Sequence, residues 1–167
     1  MRPAAEIITI RKAQGEDVES IGECLESAFE PFRSQYTRDA FQDTVLSPEA
    51  IRERMVHMTV YVAIATEREI VGTVASAIEG EDGHLRGMAV RPAWQGRRIA
   101  DQLLLMAEHD LLAAGCMRIT LDTTVPLQRA IRFYQRNGFV PSGRVTDFFG
   151  MPLYEYVKPS IQQHPPI

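Results

Sequence analysis

The sequence predicts an α/β domain of the α+β kind: a mixed, mostly antiparallel central sheet of about seven strands with helices on both faces. Three observations lead there. Residues 85–90 form an apolar run of strand length, followed by a turn with Pro92 and Gly96 and then by a helix. Its apolar residues Ile99, Leu103, Leu104, Ala107 and Leu111 recur on one face. Two β-rich runs, 60–65 and 70–78, precede it and are joined by the polar turn 66–69, the pattern of a hairpin. A further strand, 117–122, follows Gly115. If it lies parallel to residues 85–90, the helix between them is a βαβ crossover.

Taken in order, residues 7–11 form a short strand and residues 16–30 a helix. Val18, Ile21, Leu25, Ala28 and Phe29 share one helix face, and Glu16 and Asp17 suit the positive end of its dipole. Pro31 ends it. Segment 32–46 carries Phe32, Arg33, Tyr36, Arg38, Phe41 and Asp43 without clear period, and reads either as a packed surface loop or as a substrate wall. A second helix starts at Ser47, an N-cap followed by Pro48 and Glu49, and runs to about His57. After the hairpin comes a second polar turn, 79–83. Three consecutive antiparallel strands thus lead into the long helix, which ends near Ala114 with Gly115 as its C′ residue. A last helix spans about 127–137, with Ala130, Ile131, Phe133 and Tyr134 as its apolar and aromatic positions, and Gly138 stops it. Strands 139–145 and 151–157 close the sheet. Phe148 and Phe149, in the loop between them, suit core, dimer or substrate contacts alike. Residues 1–158 are read as one domain and 159–167, with three prolines, as a disordered tail.

Composition narrows the function classes. The chain has 167 residues, 45% of them apolar, enough for one domain with a substantial core. A net charge of −4 argues against general nucleic-acid binding. No apolar run approaches the roughly 20 residues that cross a membrane, and the N-terminus lacks the apolar core of a signal peptide. Cytoplasm is the expected location. Cys24 and Cys116 stand far apart and read as buried small hydrophobes. His57, His84, His109 and His164 make no metal-binding spacing, so no metal site is expected.

The junction between residue 90 and the long helix carries the chemistry. The first N–H groups of a helix have no partner inside it and, with the helix dipole, favour an anion such as a phosphate. Gly96 admits a ligand close to the backbone, and Arg97 and Arg98 add charge at the mouth. An ordinary connection with two solvated arginines is the plainer alternative.

Residues 90–100, VRPAWQGRRIA, resemble the acyl-CoA loop of the GNAT superfamily of N-acetyltransferases, whose pattern is Gln/Arg-x-x-Gly-x-Gly/Ala. Gln95 matches the first position and Ala100 the last. Arg98 stands where the family has Gly, on the expectation that it is the first helical residue and has negative φ. Residues 130–139, AIRFYQRNGF, resemble the family's A-x-x-(aromatic or Leu)-Tyr-x-x-x-Gly-Phe, with Leu127 where an Asn commonly precedes the Ala.

The resemblance implies acetyl-CoA as cosubstrate. The backbone of Met88, Ala89 and Val90 would pair with its pantetheine arm as an added strand. Gln95, Gly96, Arg97, Arg98, Ile99 and Ala100, with Asp101, would cradle the pyrophosphate, and Phe133 and Arg136 would line the arm or the adenine end. Tyr134 is the catalytic candidate, a phenol beside the leaving sulfur. The general base stays open among His84, Asp122, Glu79, Glu81 and Asp82, and Thr123 and Thr124 are candidate contacts to the acetyl group or acceptor. The expected activity is transfer of acetyl to a primary amine, of a small molecule or a peptide, by direct attack. The likeness also makes a homodimer plausible. A non-catalytic acyl-CoA sensor and an unrelated nucleotide-binding protein are the rival readings, and the absence of a P-loop sequence weighs against the latter.

Overall fold

The computed structural model describes residues 6–65 and 68–159. Among them, seven strands form one sheet: β1 Thr9–Lys12, β2 Thr59–Ile64, β3 Ile70–Glu79, β4 Asp82–Val90, β5 Arg118–Thr123, β6 Val140–Phe148 and β7 Met151–Pro159. Their order is β1-β2-β3-β4-β5-β7-β6, with β4–β5 the parallel pair and every other pairing antiparallel. The α-helices are α1 Val18–Phe29, α2 Arg38–Thr44, α3 Pro48–His57, α4 Ile99–Ala113 and α5 Gln128–Arg136.

Two apolar cores, one on each sheet face, explain why the central strands read as continuous apolar runs rather than as alternation. Along β2, Tyr61 and Ala63 pack with α4, while Val60 and Val62 pack with α1 and α3. The expected face of α4 is the buried one: Ile99, Leu103, Leu104, Ala107 and Leu111 all lie in the core. The expected face of α1 is buried too, joined by Cys24. Ser47 caps α3 by accepting the Ala50 N–H at 3.2 Å, with Pro48 at the first helical position.

The segment 32–46 is not a loop. A 3-10 turn over Glu30–Gln35 leads to α2, whose N-cap Thr37 accepts the Ala40 N–H at 3.2 Å. The last strand is longer than expected. Lys158 and Pro159 belong to β7, because the Lys158 ammonium reaches the buried Glu108 carboxylate of α4 at 2.9 and 3.1 Å. Residues 160–167, where the disordered tail is expected, lie outside the described residues, as do 66 and 67 of the expected hairpin turn.

The parallel pair positions the site. β4 and β5 pair only from Asp82↔Arg118 to Leu85↔Leu121. Past Leu85, β4 stays with β3 and bulges, so that two residues, Gly87 and Met88, stand between Arg86 (opposite Ala75) and Ala89 (opposite Thr73). β5 meanwhile pairs along its whole length with β7. The sheet therefore opens between two strands that cannot re-pair.

Candidate active site

That opening is a cleft of about 1440 Å³. It exceeds the roughly 300–1,000 Å³ of a pocket for one drug-sized ligand, which leaves room for a long ligand and a second reactant. Of the residues singled out in the sequence, Met88, Ala89, Val90, Gln95, Gly96, Arg98, Ile99, Ala100, Asp101, Phe133, Tyr134 and Arg136 line it. Arg97 does not. Its guanidinium binds Glu6 at 3.1 Å and lies over the Trp94 ring at 4.7 Å, so it is not a charge at the mouth.

At the α4 end the backbone makes two unusual turns, with Gly96 at φ 81° and Arg98 at φ 60°. Arg98 is the N-cap of α4, in the left-handed region, and not its first helical residue. The negative φ expected there is wrong, because the chain must reverse once more before the helix starts. No side chain caps α4, and its ladder begins with the Gln102 N–H donating to the Arg98 carbonyl at 3.2 Å. The N–H groups of Ile99, Ala100 and Asp101 are left for a ligand. Gln95 folds back and donates to the Val90 carbonyl at 3.2 Å, bracing the loop against the strand end.

Positive charge converges on this end from α5. Arg129, Arg132 and Arg136 line the cleft with Arg98, and Arg129 Nη2 comes within 3.9 Å of where a side chain would start at Gly96. Residues 129, 132 and 136 are spaced as one helix stripe, a signal present in the sequence but read only at its last member. Leu127 is the N-cap of α5 and, as its apolar side chain requires, makes no capping bond.

In the middle of the cleft the β4 backbone at Ala89 and Val90 pairs with β3 on one side and meets no strand on the other. Tyr134 is buried in the wall between Phe133 and Phe139, with ring centroids 5.4 and 5.8 Å away. Among the described residues its hydroxyl has no hydrogen-bond partner, yet it is not a fully occluded orphan atom, so it opens on the cleft. Burial pushes its pKa well above the usual phenol value. Among the described residues, Thr123 Oγ1 is a fully occluded side-chain atom with no hydrogen-bond partner, and Thr123 also lines the cleft.

The groups left open as the base differ in what they touch. His84 Nδ1 meets Thr120 Oγ1 at 2.8 Å, and His84 Nε2 lies 3.6 Å from Asp122 Oδ2. Burial raises the Asp122 carboxyl above its usual value, with the His84 charge opposing. Both line the cleft, as does Glu79. Asp82 is taken by Arg118 at 2.8 Å, and Glu81 is outside the cleft lining. Segment 32–46 contributes Phe32, Tyr36, Asp43 and Thr44 to the lining. The Tyr36 and Thr124 hydroxyls meet at 2.8 Å, a contact across 88 residues that no local pattern announces. Phe148 faces the cleft, whereas Phe149 is 51% exposed at φ 49°.

An open strand edge, an uncapped helix start, four arginines and an orphan hydroxyl suit a long ligand with anionic groups at one end and amide groups along its length. Among the described residues, no group of three His, Cys, Asp or Glu side chains is placed to hold a metal. No helix there is long and apolar enough to cross a membrane.

Comparison with known proteins points the same way. The model of the acetyltransferase (GNAT) family matches residues 19–139. Similar solved structures include the PaiA N-acetyltransferase of Thermoplasma acidophilum in complex with coenzyme A. It is 21% identical, with 92% of this chain and 99% of that one covered and a TM-score of 0.77. A GNAT-family acetyltransferase of Staphylococcus aureus Mu50 is 22% identical, with 92% and 99% covered and a TM-score of 0.75. The ribosomal-protein-S18-alanine N-acetyltransferase of Escherichia coli is 14% identical, with 92% and 94% covered and a TM-score of 0.74. At these identities the solved structures bear on the fold.

Proposed function

The chain belongs to the GNAT family of acetyltransferases, acyl-CoA-dependent enzymes with acetyl-CoA as cosubstrate, and from that premise we propose that it moves the acetyl group to a primary amine by direct attack. The observation that carries the reading is the Tyr134 hydroxyl, without a hydrogen-bond partner among the described residues, on the same cleft as the uncapped start of α4.

The coenzyme supplies an activated thioester. The free N–H groups of α4 and the arginines Arg98, Arg129, Arg132 and Arg136 bind its phosphates, and the open edge of β4 at Met88, Ala89 and Val90 binds the amide-bearing arm. Tyr134 donates a hydrogen bond to the sulfur as charge develops there. A free phenol titrates near 10 and a thiol near 8.5, so full proton transfer already runs uphill by about 2 kcal/mol. Burial raises the phenol further. Tyr134 therefore keeps its proton and stabilises the leaving group by hydrogen bonding.

The attacking amine must lose a proton, since an alkylammonium titrates near 10.4. Asp122, which lines the cleft, receives it. A carboxylate whose pKa burial has raised is a better base than a solvated one, and His84, its Nδ1 held by the Thr120 hydroxyl, stands beside that carboxylate through Nε2. Release of free thiol from acetyl-CoA with a panel of primary amines tests the reading. Tyr134→Phe is expected to lower kcat by about 100-fold, the low end for a positioned proton donor, with CoA affinity nearly unchanged. Equal losses in turnover and affinity would show that Tyr134 only shapes the wall.

A further inference from the structure

Among the arginines that line the cleft, Arg54 and Arg86 are not used by the reaction above, and Arg86 is paired with Asp43. Arg54 extends from α3, on the sheet face opposite α4, and its guanidinium lies against the β4 bulge. The bulge makes room for it. Gly87 sits at φ 66°, where a side chain is strained, and a Cβ there would lie 2.6 Å from Arg54 Nη1. Among the described residues the Arg54 side chain makes no hydrogen bond and no ion pair. Asp43, the carboxylate whose charge acts on it, is held by Arg86 at 2.6 Å. Desolvation, and then the Arg86 charge, push the Arg54 pKa down to about 10, which leaves it a cation at neutral pH.

A half-buried cation without a partner is costly, and binding an anion would offset that cost. The apolar pocket beneath Arg54, lined by Ile21, Leu25 and Ile51, offers none. The nitrogens are not occluded, and Arg54 lines the main cleft, so the anion arrives from that side. The CoA phosphates are accounted for by α4 and α5. What remains is the second substrate. A planar guanidinium open along an edge matches a carboxylate, which it binds through two parallel hydrogen bonds.

We propose that Arg54, admitted to the cleft by Gly87, binds a carboxylate of the acceptor, so that the acceptor is an amine that also carries a carboxylic acid, of the amino-acid class. The proposal rests on the acetyl-transfer reading and names the substrate class of that same site. It predicts discrimination, because an acceptor lacking the carboxylate leaves Arg54 desolvated and unpaired.

The test uses matched pairs that differ only in the carboxylate: phenylalanine and phenethylamine, methionine and 3-(methylthio)propylamine, lysine and cadaverine. Acetylation is followed by thiol release, and binding to the CoA-loaded protein by calorimetry. The carboxylated member of at least one pair is expected to have kcat/KM higher by about 10- to 100-fold, the range for a charged hydrogen-bonded contact. Arg54→Met is expected to abolish that ratio and Arg54→Lys to keep part of it. A misfolded variant lowers both members together, so the ratio reads Arg54 alone, and Arg54→Lys decides should Arg54→Met not fold. Equal use of both members by the parent, or an unchanged ratio in Arg54→Met, overturns the proposal. If no amine in the panel is acetylated, the calorimetry separates the two ideas. Carboxylate-dependent binding that Arg54→Met loses keeps the anion site and removes the transfer reading, whereas binding indifferent to the carboxylate removes both.

Discussion

Arg98 holds a backbone conformation that favours glycine. At φ 60° a side chain costs about 1–2 kcal/mol relative to the right-handed region. Glycine there would relieve that strain and give back part of the gain as unfolded-chain entropy. Arg98→Gly is therefore expected to raise stability by about 0.5–1 kcal/mol in urea unfolding. It should also weaken CoA binding by about threefold to tenfold, as loss of one charged contact to an anion. A variant that lost stability would show that the arginine is held by packing. Asp122 gives the pH-dependent case. Burial raises its carboxyl, so the folded protein holds that proton more tightly than the unfolded chain, and stability falls as pH rises from the usual carboxylate value through the raised one. Asp122→Asn is expected to melt higher than the parent at pH 7, with the gap closing toward pH 4, while kcat drops by about 100-fold. Comparison of melting curves across that range with turnover at pH 7 checks both signs.

The elements themselves divide by how local their causes are. α1, α3 and α4 were legible because a 3.6-residue period, a Ser47 cap and the Gly115 stop all act within a few residues. The 3-10 turn and α2 were not, because their burial is set by distant partners: Phe41 enters the core beneath α1, and Tyr36 is fastened to Thr124. The end of β7 was misjudged for the same reason. A lysine beside a Pro-rich tail reads as solvated, yet Lys158 closes on Glu108, whose side chain is only 9% exposed. That pair ties the last strand to the helix that opens the cleft. Lys158→Met leaves a buried carboxylate without a partner and is expected to cost about 3–5 kcal/mol in urea unfolding. Adding Glu108→Gln should restore much of the loss, since the pair is then removed together.

For the whole molecule, what the chain order alone decided is the order of the seven strands and of α1, α3, α4 and α5, and the helix start at which anion binding is proposed. Periodicity, caps, turn glycines and the two motif stretches are all written within short segments, and their physics acts at that range. What only the tertiary structure decided is the second half of the site. β5 pairs with β7 and leaves β4 after Leu85, which exposes one edge of β4 and strands Thr123 Oγ1. Tyr36, His84 and Asp122 then line one cleft, and so does Arg54, whose side chain has no ion pair among the described residues. None of these has a local signature, because a side chain's partner, or the lack of one, is settled only when segments tens of residues apart compete for the same space.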